Sequence, residues 1–193
     1  DGKRLAVETT GGPVAGSAVR YAYAPDHGGL TQLRFLRQGE SEARVTDTGY
    51  DAMTRVAVIS NESVRISYAY PTNSSCVSSV IIGLNGTPAL EKRVGWDYPN
   101  GRITNVVYSI AGTNLAGYSY TFETNSDRIA RVEQMDGRSW TYTYNSRGQL
   151  SGAVCRDPDL SAEPVRQFAY EYDEIGNMTR GGSPGNDGKP LHA

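Results

Sequence analysis

Seven times along 193 residues the chain returns to one short pattern: an aromatic, any residue, a second aromatic, a polar loop, then an aliphatic residue. Three copies are clear. They run from Tyr142 and Tyr144 through Gly148 to Leu150, from Tyr170 and Tyr172-Asp173 through Gly176 to Met178, and from Tyr21 and Tyr23 through Gly28 to Leu30. Four are degenerate: Tyr50-Asp51 to Val56, Tyr68 and Tyr70 to Val77, Trp96 and Tyr98 through Gly101 to Ile103, and Tyr120 and Phe122 to Ile129. The closing aliphatic positions lie 26, 21, 26, 26, 21 and 28 residues apart. A recurrence this even means that one structural unit has been copied in tandem.

The unit is a β-hairpin. Tyr142 and Tyr144 are two residues apart, so both point to one face of a strand. Asn145, or Asp173 in its copy, opens the loop, where its side chain can bond the turn backbone. Gly148 or Gly176 then supplies a left-handed conformation before the chain re-enters a strand. Asp127 stands where glycine would be and is expected to take over that conformation, because Asn and Asp tolerate it. Thr54 is β-branched and resists it, so a different turn is expected there.

The opposite ends of the hairpins also carry turn signals. Asp136-Gly137 joins Ile129–Glu133 to Ser139–Tyr144, and Asn85-Gly86 joins Val77–Ile82 to Leu90–Trp96. Residues 60–63 separate Arg55–Ile59 from Val64–Tyr70, where Val64, Ile66, Tyr68 and Tyr70 alternate with Arg65, Ser67 and Ala69. That alternation buries one face only. No segment shows a long apolar period of 3.6, so almost no helix is expected. A lone hairpin is marginal in water, and consecutive hairpins must pair edge to edge. The fold class is therefore all-β: tandem antiparallel hairpins in one long twisted or spiralling sheet. Residues 1–19 read as a leading strand or edge segment, 20–180 as seven repeats in one domain, and 181–193 as a Gly/Pro-rich tail or linker.

Composition narrows function mainly by exclusion. Leu, Ile, Val and Phe together make up just under a fifth of the chain, but the net charge is only −2 and thirteen Tyr enlarge the apolar total. This is a folded chain whose core is aromatic and β-branched rather than a disordered one. Nineteen basic against 21 acidic residues leave no nucleic-acid footprint. No apolar run is long enough for a transmembrane helix. The chain starts at Asp1 without Met, as a processed or trimmed piece would.

Candidate chemistry is sparse. Asp26 and His27 resemble an oriented base, but no Ser or Cys nucleophile accompanies them, and His27 reads as a turn residue. Cys76 and Cys155 lack Cys-x-x-Cys spacing and read as two unpaired side chains, with a disulfide as the alternative for an exported chain. No pair of carboxylates stands apart for glycoside hydrolysis. No metal or cofactor is expected. The tyrosines serve packing in one reading and sugar stacking in the other.

The segments Tyr-Glu-Tyr-Asp-Glu-Ile-Gly-Asn-Met-Thr (170–179) and Tyr-Asn-Ser-Arg-Gly-Gln-Leu (144–150) resemble tyrosine-aspartate (YD) repeats of the RHS type. Tyr172-Asp173 and Tyr50-Asp51 keep the literal pair. The resemblance implies a continuous sheet that spirals into a shell, which in bacterial members can enclose a toxin domain. It implies a non-catalytic, extracellular or cell-surface scaffold. Its partners would be neighbouring repeats of a longer chain or other copies joined through sheet edges, with an enclosed polypeptide or glycans as further candidates. The alternatives are a glycan-contacting adhesin and a self-assembling filament subunit. Asp157-Pro158 lacks the glycine of the family's self-cleaving motif, so no autoprotease is carried over.

Overall fold

The computed structural model describes residues 7–9, 16–41, 44–159 and 164–183. Among them there is no helix. Fifteen strands follow one another: β1 (Val7–Thr9), β2 (Ala18–Tyr23), β3 (Leu30–Leu36), β4 (Arg44–Tyr50), β5 (Val56–Ser60), β6 (Val64–Ala69), β7 (Ser79–Leu84), β8 (Thr87–Asp97), β9 (Arg102–Ile110), β10 (Thr113–Phe122), β11 (Ile129–Gln134), β12 (Ser139–Tyr144), β13 (Leu150–Arg156), β14 (Arg166–Tyr172) and β15 (Met178–Gly182). They are hydrogen-bonded in chain order within one sheet. The fold is all-β and built of antiparallel hairpins, as the repeat pattern requires. By compactness the chain divides into two units, residues 1–93 with 108–113, and residues 94–107 with 114–193.

The first unit sorts its side chains by strand alternation. Val19 pairs with Phe35 and Tyr21 with Leu33. Ile59 pairs with Ile66, Ile66 with Ile82, Tyr68 with Val80, and Ile82 with Leu90. Directly paired residues share a face, so these make one apolar surface. The other face carries Arg20 opposite Arg34 and Gln32 opposite Asp47. The apolar residues named are half-buried, none fully. They are covered by their in-plane neighbours, because no helix among the described residues packs on the sheet.

The second unit follows the same rule with more aromatic bulk. Trp140 pairs with Cys155 and Tyr142 with Ala153, while Phe168 pairs with Ala153 from the other side. Trp140 stacks nearly parallel to Tyr142 at 6.5 Å and to Phe168 at 6.0 Å. Ala153 and Cys155, 4 % and 6 % exposed, lie in the row between these rings. Small residues in the middle strand let the large rings of the flanking strands meet. The opposite face shows Thr141, Thr143, Gln167, Glu171 and Arg180, all exposed. This is the physical content of the aromatic-any-aromatic spacing.

The hairpin ends carry the turns announced by Asn85-Gly86 and Asp136-Gly137. Asn85 and Gly86 both have positive φ, 49° and 81°. At Asp136-Gly137 only Gly137 does, and the loop is closed by the Gln134 N–H on the Arg138 carbonyl at 2.7 Å. The turn at Ala111-Gly112 was not among those read from the sequence, and there alanine takes φ of 48° beside Gly112 at 80°. Gly181 and Gly182 continue β15, and residues 184–193 of the expected tail lie outside the described residues. Cys76 and Cys155 are free thiols.

Two turn expectations are corrected. Thr54 does adopt the left-handed conformation, with φ of 59°. Its turn has the same bonds as the glycine copies. Thr54 N–H reaches the Asp51 carbonyl at 2.9 Å, as Gly148 reaches Asn145 at 2.9 Å. The Asp51 carboxylate accepts the N–H groups of Met53 and Arg55, and this holds the strained residue in place. At Asp127 the expectation fails in the other direction. Asn125, not Asp127, takes the positive φ of 57°. The loops Tyr23–Leu30 and Trp96–Ile103 have the same length and put Gly28 and Gly101 in that conformation, so the shift to Asn125 belongs to this loop's own residues.

Candidate functional site

The repeat residues converge on one recurrent arrangement, in which each turn is locked internally and then bound to the next. In five hairpins the second aromatic pairs across the strands with its own closing aliphatic. The pairs are Tyr23 with Leu30, Tyr50 with Val56, Phe122 with Ile129, Tyr144 with Leu150 and Tyr172 with Met178. In all five a register shift falls immediately before that aromatic. A bulge there re-aims the side chain.

The hydroxyl of the second aromatic reaches backward by one repeat. Tyr50 donates to the Leu30 carbonyl at 2.9 Å, Tyr70 to Val56 at 2.8 Å, Tyr144 to Ile129 at 2.8 Å and Tyr172 to Leu150 at 2.8 Å. Each acceptor is the closing aliphatic residue of the preceding repeat. Phe122 fills the same slot without a hydroxyl. A net hydrogen bond of this kind contributes about 1 kcal/mol.

The residue after the second aromatic locks the turn. Asp173 Oδ1 accepts the N–H groups of Ile175 and Asn177, and Asn145 Oδ1 those of Arg147 and Gln149. The same acid or amide then holds the side chain just before the closing aliphatic. Asp51 pairs with Arg55 at 2.7 Å, Asp97 with Arg102 at 2.7 Å, Glu123 with Arg128 at 2.6 Å, Asn145 with Gln149 at 2.9 Å and Asp173 with Asn177 at 3.0 Å. The Arg55 side chain beside Asp51 holds its carboxyl below the usual carboxylate range, and Arg102 with Asn100 does so for Asp97. At Asp173, burial works against the ionised form, but hydrogen bonds from Asn177, Gly176 and Ile175 together outweigh it and lower the pKa.

These held arginines also reach forward. Arg55 lies 4.4 Å over the Tyr70 ring, Arg102 4.5 Å over Phe122 and Arg128 5.2 Å over Tyr144. Such contacts contribute roughly 0.5–1 kcal/mol at partly exposed sites. Arg55 donates to the carbonyls of Pro71 and Ser74 and Arg102 to that of Ser126. Arg147, inside the turn where Gln149 takes the clasped position, reaches forward too, to the carbonyls of Asp173 and Glu174. Burial beside these groups pushes the Tyr142 and Tyr144 hydroxyls up.

The remaining sequence candidates fall into place around this arrangement. Tyr21, Tyr68, Tyr120, Tyr142 and Tyr170 are the first aromatics and lie half-buried in their strands. Gly28, Gly101, Gly148 and Gly176 all have positive φ, from 66° to 97°. Trp96 occupies the second-aromatic slot, because it is Asp97 that pairs with Arg102. Tyr98 therefore sits in the turn, 49 % exposed, and Ile103 closes the repeat. His27 accepts the Gly29 N–H at 3.1 Å through Nδ1 and meets the Tyr50 ring edge-on at 4.6 Å. Among the described residues no group of three His, Cys, Asp or Glu is placed to hold a metal, and no helix is long and apolar enough to cross a membrane.

The sequence reading missed the tyrosine hydroxyl bonds and the acid–arginine clasp. A signal for the clasp was present: an acid four or five residues before an arginine at 51/55, 97/102 and 123/128. The hydroxyl bonds join residues 14 to 22 apart across separate turns, and no local pattern marks their acceptors.

No family model and no curated protein sequence matches the chain. Solved structures do. The TcdB2-TccC3 complex with Cdc42 aligns over 88 % of this chain at 14 % identity and a TM-score of 0.51. TcdB2-TccC3 alone aligns over 92 % at 14 % identity and 0.51. The form without its hypervariable C-terminal region aligns over 89 % at 13 % identity and 0.51. These chains contain RHS/YD-repeat shells. The chain has the YD-repeat fold. It spans about a tenth of the solved chains it matches, 10–11 % of their length. The shared feature is the antiparallel YD-repeat sheet itself.

Proposed function

We propose that this chain is a non-catalytic segment of an extracellular YD-repeat wall, of the kind that can surround another polypeptide. One observation carries the reading: the recurring side chains are used in binding one repeat to the next. The tyrosine hydroxyls of four repeats are spent on carbonyls of the repeats before them. The acids and arginines that might have formed a reaction centre are spent on turns. A sheet built this way gains stability by repetition. Its work is to present, in each unit, a surface with one polar and one apolar face.

Electron microscopy of the isolated chain at high concentration, with a glycan array and intact mass over prolonged incubation, tests the proposal. Discrete particles, unchanged mass and no sugar binding at millimolar concentration are expected. Fibres would replace the wall with a filament subunit. Saturable glycan binding lost on changing tyrosines to alanine would replace it with an adhesin.

A further inference from the structure

In five turns a side chain holds the N–H of the residue just before the closing aliphatic, and which side chain does so depends on loop length. In the five-residue loops it is the residue that heads the turn: Asp51 holds Arg55, Asn145 holds Gln149 and Asp173 holds Asn177. In two six-residue loops it is the fourth residue. Ser126 Oγ accepts the Arg128 N–H and His27 Nδ1 that of Gly29, both at 3.1 Å. Ala24, which heads the first of these loops, has no side-chain acceptor to offer. Four of the five acceptors survive mild acid. Asn145 and Ser126 do not titrate there, and Asp51 and Asp173 are held below the ordinary carboxylate value. An imidazole, by contrast, changes charge between about pH 8 and 5 and then donates from both nitrogens.

The His27 ring sits where that change is felt. Gly29 lies between it and Tyr50, so close that a Cβ there would stand 2.6 Å from Tyr50 Cζ and 2.8 Å from His27 Cε1. The same Tyr50 donates to the Leu30 carbonyl, the first rung of the tyrosine series. The ionisable groups against the imidazole are Asp26, on its own loop and 3.6 Å from Nε2, and Tyr50, from β4. Asp26 favours the charged ring, and no orientation of a charged imidazole accepts the Gly29 N–H. We propose that His27 is a pH-sensitive latch on the first repeat. On taking up a proton it releases the Gly29 N–H and loosens residues 24–29 against Tyr50, while the other four held turns keep their bonds. The first repeat gives way in mildly acidic surroundings that leave those turns closed.

Amide exchange of the full chain, followed by NMR at about pH 7.5, 6.5 and 5 and expressed as protection relative to the intrinsic rate at each pH, tests the latch. The protection of Gly29 is expected to fall about five-fold as the His27 ring titrates, the effect of losing one neutral hydrogen bond. Arg55, Arg128, Gln149 and Asn177 are expected to keep theirs. His27→Ser, which copies Ser126 in the matching place of its loop, is expected to hold Gly29 equally at all three pH values. His27→Ala is expected to leave Gly29 at the low, acid level throughout. Gly29 protection that ignores the titration of His27, that falls equally in the serine variant, or that falls in step with the other four amides overturns the proposal.

Discussion

The hydroxyl of Tyr172 donates to the carbonyl of Leu150 at 2.8 Å, across 22 residues of chain. Tyr172 heads the Asp173 turn, and Leu150 closes the turn before it. The literal tyrosine-aspartate pair is thus a two-way device. Its tyrosine looks back to the previous repeat, and its aspartate folds the next turn. A pair that does both needs no ligand to explain why it recurs.

Thr54 is the weak point of its turn. A β-branched residue at φ of 59° bears strain that glycine in the same place does not. The left-handed conformation costs a non-glycine residue ~1–2 kcal/mol. Glycine gives back ~0.5–1 kcal/mol through the entropy of the unfolded chain. Thr54→Gly is expected to stabilise the protein by about 0.5–1 kcal/mol, read from the midpoint of urea unfolding. A loss of stability would show that the threonine side chain does something the turn geometry does not reveal.

Much of the fold was legible in the sequence because strands write their period in side chains. Ser139–Tyr144 was bounded correctly, and the aromatic alternation places Trp140, Tyr142 and Phe168 on one face. Trp96 was harder. With Tyr98 two residues later, it imitates the first of two aromatics, and only the Asp97–Arg102 pair reveals it as the second. Thr54 and Asp127 were misjudged because local propensity was allowed to decide. The Asp51 clasp overrides it in one loop, and in the other Asn125 takes the left-handed place that Asp127 was expected to fill. Ala111 carries no turn preference of its own and was invisible.

Acid should loosen the turns in a definite window. The carboxyls of Asp51, Asp97 and Asp173 are all held below their ordinary value of 3.8. The unfolded chain therefore takes up these protons first as pH falls. Their contribution is complete above the ordinary carboxylate value and disappears as pH drops through the lowered folded values. Unfolding midpoints between pH 6 and pH 2.5 should fall below about pH 4, and Asp51→Asn should flatten the decline. A midpoint that rises on acidification would contradict the clasp.

Trp140 stands at the centre of the aromatic row, stacked on Tyr142 and Phe168. Its truncation leaves Cys155 and Ala153 uncovered. Trp140→Ala is expected to cost about 3 kcal/mol, the low end for a large aromatic because the ring is only half-buried. Trp140→Phe should recover most of that. Thermal unfolding followed by circular dichroism checks both, and a change of under about 1 kcal/mol for the alanine variant would rule out a packing role for the row.

The tyrosine rungs test the whole account together. Tyr50, Tyr70, Tyr144 and Tyr172 are replaced by phenylalanine, which keeps each ring and removes each hydroxyl. Chemical unfolding of the fourfold variant is expected to show a loss of about 3–4 kcal/mol, near the sum of the four single changes. Wild-type stability in that variant would mean that the hydroxyls do not join the repeats, and the wall would lose the bonds on which it is built.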